Sequence, residues 1–229
     1  MGNTYFAAPF PAYRCGYRSF SPAPFHRGDE ATNTRCAVAR AVEDVSEETA
    51  HRLMENNTFA AVRIARLALP TVRRRGQGRI VNLSSAARRS VLPLGGWYGA
   101  SRAASAALTH ALRMELTGSG VRVVLIEHGF HATGPLDDAV RSLTPPSGIS
   151  TRFTDCYRIA AAALSDSTRF SGPEHAAATV QKALTARRPR ARYTVGMDAR
   201  VAAPLIASVP YAISDRSSAL WWASRGRAS

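Results

Sequence analysis

The sequence predicts an α/β protein, a doubly wound parallel sheet flanked by helices. Three observations carry this. Two short, almost continuously apolar runs, "RIVNLS" (79–84) and "VRVVLIE" (121–127), read as strands buried on both faces, the signature of a parallel sheet. Stretches with helical spacing lie before, between and after them, at about 46–73, 97–117 and 172–188. Strands that alternate with helices in this way build βαβ units into one sheet.

Each element has a local reason. Residues 1–31 hold Pro9, Pro11, Pro22 and Pro24 among scattered aromatics with no steady period, which excludes helix and supports strand poorly. The expected organisation is therefore an irregular or disordered segment over 1–36 and a domain over 37–229. Ser46 can cap a helix that has Glu47 and Glu48 in its first turn, where carboxylates suit the helix dipole. Leu53, Ala60, Ile64, Leu67 and Ala68 continue it, and Pro70 with "GQG" (76–78) is expected to close it. The alanine-rich helix from Trp97 to Thr117 ends at "GSG" (118–120). Pro173 opens the next helix at its first position, and "RYTVG" (192–196) is a last short strand. "HRGDEATNTR" (26–35) is too polar to be expected as a strand, which leaves an exposed edge on 79–84 and an oligomer or insoluble product as the expected result.

Composition narrows the function. The chain has 229 residues and a formal net charge of +14. Lys182 is the only lysine among 30 basic residues, and the arginines are spread along the chain. That is a compositional habit rather than a phosphate-binding stripe, so no nucleic-acid partner is expected. The longest apolar stretch, 201–213, is cut by Pro204 and Pro210, so no membrane span is expected. Cys15, Cys36 and Cys156 are few and odd in number, and no secretory pattern opens the chain; a cytoplasmic location is expected. His128 and His131 form an H-x-x-H, but spacing supplies no third ligand, so no metal is expected.

Chemistry concentrates in 84–102. Ligands of open parallel sheets bind at the carboxyl ends of the strands, and Ser84 and Ser85 sit at such an end. Tyr98 opens the following helix, and Arg102 lies one turn further on the same face. A fixed cation there favours a phenolate, which can exchange a proton with an alcohol or ketone.

Residues 37–197 resemble the short-chain dehydrogenase/reductase family. "GRIVNLSSAA" is similar to that family's fifth strand and serine, and "YGASRAA" to its Tyr-x-x-x-Lys motif. "ENNTFAAVRIARLALP" is similar to the helix that carries its asparagine. "VRVVLIEHGFHATG" resembles its sixth strand and Pro-Gly turn, and "TARRPRARYTVG" its seventh strand. The resemblance implies an incomplete Rossmann-like sheet and NAD or NADP as cofactor. It implies Tyr98 as general acid/base, Ser85 orienting the substrate oxygen, Asn57 holding a relay water, and Arg102 favouring the phenolate and meeting the cofactor ribose. Gly129 and Thr133 would lie near the nicotinamide, with Tyr98 and Arg102 also touching cofactor. The family's helices at about 46–73 and 97–117 imply a homo-oligomer.

The departures are specific. Nothing in 1–36 matches the family's TGxxxGxG turn, and Thr32–Arg35 stand where Asn-Asn-Ala-Gly belongs. His128 replaces the turn proline, Arg88 a glycine after the serine pair, and Arg102 the lysine. The expected function is interconversion of a carbonyl and an alcohol with NAD(P)(H). "VLPLGGWYG" (91–99) points to a small lipophilic substrate. The alternatives are a non-catalytic relative acting through oligomerisation or interaction, and a mis-started fragment of such an enzyme.

Overall fold

The computed structural model describes residues 29–32, 36–132, 134–144, 153–166, 172–210 and 212–216. Four strands form one sheet in sequence order: β1 (Asp29–Thr32), β2 (Gly78–Ser85), β3 (Val121–His128) and β4 (Arg192–Val195). Every neighbouring pair is parallel. Among the described residues these helices accompany them: α1 (Glu47–Met54), α2 (Ala60–Arg74), α3 (Gly96–Glu115), α4 (Gly134–Ser142), α5 (Thr154–Ser165), α6 (Glu174–Thr185) and α7 (Ala203–Ala207).

Strand alternation sorts the side chains to two faces. Ile80, Val121 and Val123 meet Ala65 and Val72 of α2 and Leu116 after α3. Val81, Val124 and Ile126 meet Ala183 and Leu184 of α6. Ile80 and Ile126 are wholly buried, and burial of such a side chain contributes about 1.5–3 kcal/mol.

Three expectations need correction. The polar stretch does contain a strand: β1 pairs with Arg79–Asn82 of β2. A strand is held by backbone hydrogen bonds, and at a sheet edge polarity is no obstacle; short charged edge strands resist pairing with other chains. The β2 edge is therefore covered over 79–82, and a strand lies within 1–36. Secondly, Pro70 does not close its helix. It sits inside α2, which runs to Arg74 and stops only before Gly76, at φ 64°. One missing N–H is tolerated where α2 packs on the sheet through Ala65 and Val72. Thirdly, Pro173 is the cap residue of α6 rather than its first helical residue.

Ser46 caps α1 as expected, its Oγ accepting from the Thr49 N–H at 3.3 Å. Between α1 and α2 lies a π-helical turn, Glu55–Phe59, which hydropathy does not signal.

The segment following β1 is tied down far from itself in sequence. The Tyr157 hydroxyl on α5 accepts from the Ala41 N–H at 3.0 Å and donates to Asp44. The Ala39 N–H donates to Ser142 Oγ at 2.8 Å, and Arg40 Nε to the Ser142 carbonyl at 2.8 Å. Burial, reinforced by the Asp44 carboxylate, pushes the Tyr157 phenol up to about 12 from 10.0. A raised phenol stabilises the fold below pH 10, and the contribution disappears as pH rises through 12. Two units correspond to about 2–3 kcal/mol. The unfolding free energy from urea titrations should therefore fall between pH 10 and 12, with Tyr157→Phe flattening that fall. An equally steep fall in the Phe variant would refute the assignment.

Candidate active site

Two elements bring the candidate residues together. Ser85 ends β2, and its Oγ accepts from the Ala87 N–H at 3.2 Å, which turns the chain away from the sheet. Ser84 faces α3, donating to the Arg102 carbonyl at 3.0 Å. This bond and Asn82 Nδ2 to Thr109 Oγ1 at 3.0 Å seat α3 on β2. Tyr98 lies in the first turn of α3, its ring against the buried cluster of Cys36, Val38 and Leu53. Its hydroxyl makes no hydrogen bond among the described residues.

Arg102 is buried at 2% exposure. Its guanidinium lies over the Tyr98 ring, 5.2 Å from the centroid. Its Nη1 donates to the Leu83 carbonyl at 3.4 Å. The cation is thus held on the ring face of the phenol. Arginine suits that place because its flat head stacks on an aromatic ring, which an ammonium does not reproduce.

Asn57 sits in the π-helical turn and is wholly buried. Its Oδ1 accepts from the Cys36 N–H at 3.2 Å. Its Nδ2 donates to the Cys36 carbonyl at 2.8 Å and to Ser101 Oγ at 3.0 Å. Ser101 Oγ donates onward to the Tyr98 carbonyl at 2.8 Å. Thr58 Oγ1 adds a bond to the Ser101 carbonyl at 2.8 Å. A chain of polar contacts therefore runs from the segment after β1 to the backbone of Tyr98. The sequence reading named Asn57 and Ser84 but missed Ser101 and Thr58. Small polar residues within helices give no signal until their burial is known.

The turn after β3 is built differently. Gly129 is buried, and its N–H donates to the Val195 carbonyl at 2.9 Å. A side chain at Gly129 would strike the Asp198 carboxylate, which accepts from the Phe130 N–H at 2.6 Å. Asp198, another residue the sequence did not advertise, pins this turn to the segment after β4. The His128 and His131 rings meet edge to face, 5.6 Å apart, and both Nδ1 atoms approach the Gly129 carbonyl. No group of three or more metal-ligating side chains occurs among the described residues. Thr133 lies outside the described residues.

On the α3 face of β3, the buried Glu127 carboxylate is met by Arg88, by Arg89 at 3.5 Å and by Arg192 at 3.9 Å. The departure at position 88 thus has a partner. A cleft of about 530 Å³ opens nearby, lined in part by Arg88, His110, Arg113, Leu125 and Arg192. It does not include Ser85, Tyr98 or Arg102. Arg88 and Arg192 there share the Glu127 carboxylate.

Known proteins resemble this chain in sequence and fold. The profile of the family described as short chain dehydrogenase matches residues 32–142. The chain is 37% identical over 100 residues to the ketoacyl reductase HetN of Nostoc, covering 43% of this chain and 35% of that protein. It is 28% identical over 183 residues to the short-chain dehydrogenase/reductase family 9C member 7 of Bos taurus, covering 76% and 58%. A short-chain dehydrogenase from Burkholderia cenocepacia, solved in complex with NADP, superposes with a TM-score of 0.61 at 23% identity, covering 82% of this chain and 67% of that one. The last likeness shows the fold, with its Rossmann-like parallel sheet. The chain spans less than two thirds of the length of these curated relatives. Ordered motifs, parallel sheet and profile match converge: over residues 32–142 the chain is similar to the short-chain dehydrogenase/reductase family, and its fold is that family's Rossmann-like one.

Proposed function

We propose that this protein interconverts a carbonyl and an alcohol with NAD(P)(H), using Tyr98 as the proton donor and acceptor. The observation that carries the reading is the stack of Arg102 on Tyr98 beside the carboxyl end of β2, with the phenol hydroxyl left uncommitted among the described residues. Ser85 orients the substrate oxygen through its hydroxyl hydrogen, its lone pair being engaged by Ala87. Asn57 acts by fixing the Tyr98 backbone through Ser101. Val91 and Leu92, 55% and 49% exposed, supply an apolar wall for a small lipophilic substrate. Leu94, in the left-handed region at φ 68°, turns this segment, and its carbonyl accepts from the Arg40 N–H at 2.7 Å.

The residues fit the reacting end of a dinucleotide in part. NAD(P), when bound, supplies or accepts the hydride. Tyr98 and Ser85 suit that end, whereas Arg102 is folded onto the ring and the space at Gly129 holds Asp198. No glycine-rich turn in this sequence offers backbone N–H groups to a pyrophosphate. Calorimetric titration of this chain with NADH or NADPH should therefore give a dissociation constant in the millimolar range. A micromolar value would overturn that expectation. The activity itself is tested by NAD(P)H oxidation at high cofactor with small lipophilic ketones, comparing the protein with its Tyr98 variant.

A second reading is favoured by one surface. Phe59, Leu67, Leu108 and Met114, on and before α2 and on α3, are 43–64% exposed. We infer that a second copy of the chain covers them, whether or not catalysis survives. Size-exclusion chromatography with light scattering would show a dimer or larger; a monomer would remove this reading.

A further inference from the structure

The fold leaves a space open between α3 and β4. On β4, Tyr193 and Val195 pack with α6 on one face of the sheet. Alternation along the strand sends Arg192 to the other face, beside α3. There β3 presents Leu125, and α3 presents Ala103, Ala106 and Ala107, side chains too short to close the gap. The resulting cleft of about 530 Å³ is of the size that holds small molecules, about 300–1,000 Å³. Arg88, Arg113 and Arg192 line it, and no carboxylate does so among the described residues.

The positive charge of this cleft is not cancelled within the fold. Glu127 lies behind it, its side chain 3% exposed. Arg88 reaches Glu127 Oε1 through both Nε and Nη2, and one guanidinium held in that way neutralises one carboxylate. The other oxygen is approached by Arg89 at 3.5 Å and by Arg192 at 3.9 Å, the limit of an ion pair. Arg192 is half exposed there. Arg113 is half-buried and makes no ion pair among the described residues. Four guanidiniums against one carboxylate leave an excess of three positive charges. The planar guanidinium fork matches the oxygens of a phosphate, and a phosphomonoester brings about two negative charges near pH 7. Leu125 and the alanines offer nothing to a bare ion but suit an apolar body attached to it. We propose that this cleft binds the phosphomonoester of a small apolar molecule, with phosphate on Arg88, Arg113 and Arg192 and the organic part against Leu125 and α3. The site is separate from the proposed carbonyl chemistry, since Ser85, Tyr98 and Arg102 do not line it.

The test is calorimetric titration of the full chain with phenyl phosphate and with inorganic phosphate, at fixed ionic strength because salt screens exposed charges. Phenyl phosphate should saturate one site and bind about tenfold or more tighter than inorganic phosphate, through burial of its ring. The double variant Arg113→Gln, Arg192→Gln leaves Arg88 and Arg89 on Glu127, so its melting should match the parent. Its affinity for phenyl phosphate should fall about tenfold or more, from the loss of charge-assisted hydrogen bonds. Ala107→Leu, at an exposed position on the cleft wall, fills space without altering charge. It should weaken phenyl phosphate and leave inorganic phosphate unchanged, and it decides the matter if the double variant melts early. Tyr98→Phe should bind phenyl phosphate as the parent does, whatever becomes of carbonyl reduction. The proposal is overturned if phenyl phosphate does not bind, or if the folded double variant or Ala107→Leu binds it as well as the parent. It is equally overturned if inorganic phosphate binds as tightly, which would leave an adventitious ion only, or if Tyr98→Phe abolishes binding, which would place the ligand at the carbonyl site.

Discussion

Tyr98→Phe should lower any NAD(P)H-dependent carbonyl reduction by about 10²-fold or more, the scale of a lost general acid–base catalyst. The substitution removes one oxygen whose hydrogen-bonding capacity is unused among the described residues. The ring keeps its place against Cys36, Val38 and Leu53. Stability should therefore change by less than about 1 kcal/mol, as for a group with no buried partner to orphan. Loss of activity with an unchanged melting temperature separates chemistry from folding. Arg102→Lys sharpens the result. The guanidinium now lies on the ring face and reaches the Leu83 carbonyl. A lysine loses that stack but presents a compact ammonium with three rotatable donors. If the cofactor ribose needs such a group, Arg102→Lys raises turnover. If turnover is unchanged while Tyr98→Phe abolishes it, arginine serves as well as lysine. If neither substitution matters, proton transfer does not depend on this helix, and the proposed function fails.

The second large effect is on the fold. Asn57→Ala should destabilise the protein by about 3 kcal/mol, because each buried polar group left unsatisfied costs about 1–3 kcal/mol. It would remove the Asn57 bonds to the Cys36 N–H and carbonyl and take the Nδ2 donor from Ser101. Against a typical total of about 5–15 kcal/mol this is a large share. Asn57→Asp keeps an acceptor for the Cys36 N–H but sets a carboxylate against the Cys36 carbonyl, so it should be no better. The shift in urea midpoint at constant slope measures both. A loss below about 0.5 kcal/mol, the range of ordinary surface substitutions, would show that the Asn57 contacts do not hold this region together.

Periodicity and punctuation alone determined much of this protein. The burial of β2 and β3, the reach of α3 and the cap at Ser46 are local properties, visible as apolar runs, helical spacing and turn residues. So are the order of the motifs and the positions of Ser85, Tyr98 and Arg102 along them. Tertiary structure decided what depends on partners distant in sequence. β1 exists because β2 offers it a hydrogen-bonding edge, whatever its polarity. Pro70 stays helical because its helix is held on the sheet. The Asn57 side chain is also a strut, because Cys36 and Ser101 arrive from either side of it. Arg102 lies across a ring instead of reaching outward, and Asp198 closes over a glycine almost seventy residues away. A local pattern records how a residue sits on its own helix or strand. It holds no record of which buried polar group will come to meet it, and burial makes that meeting obligatory.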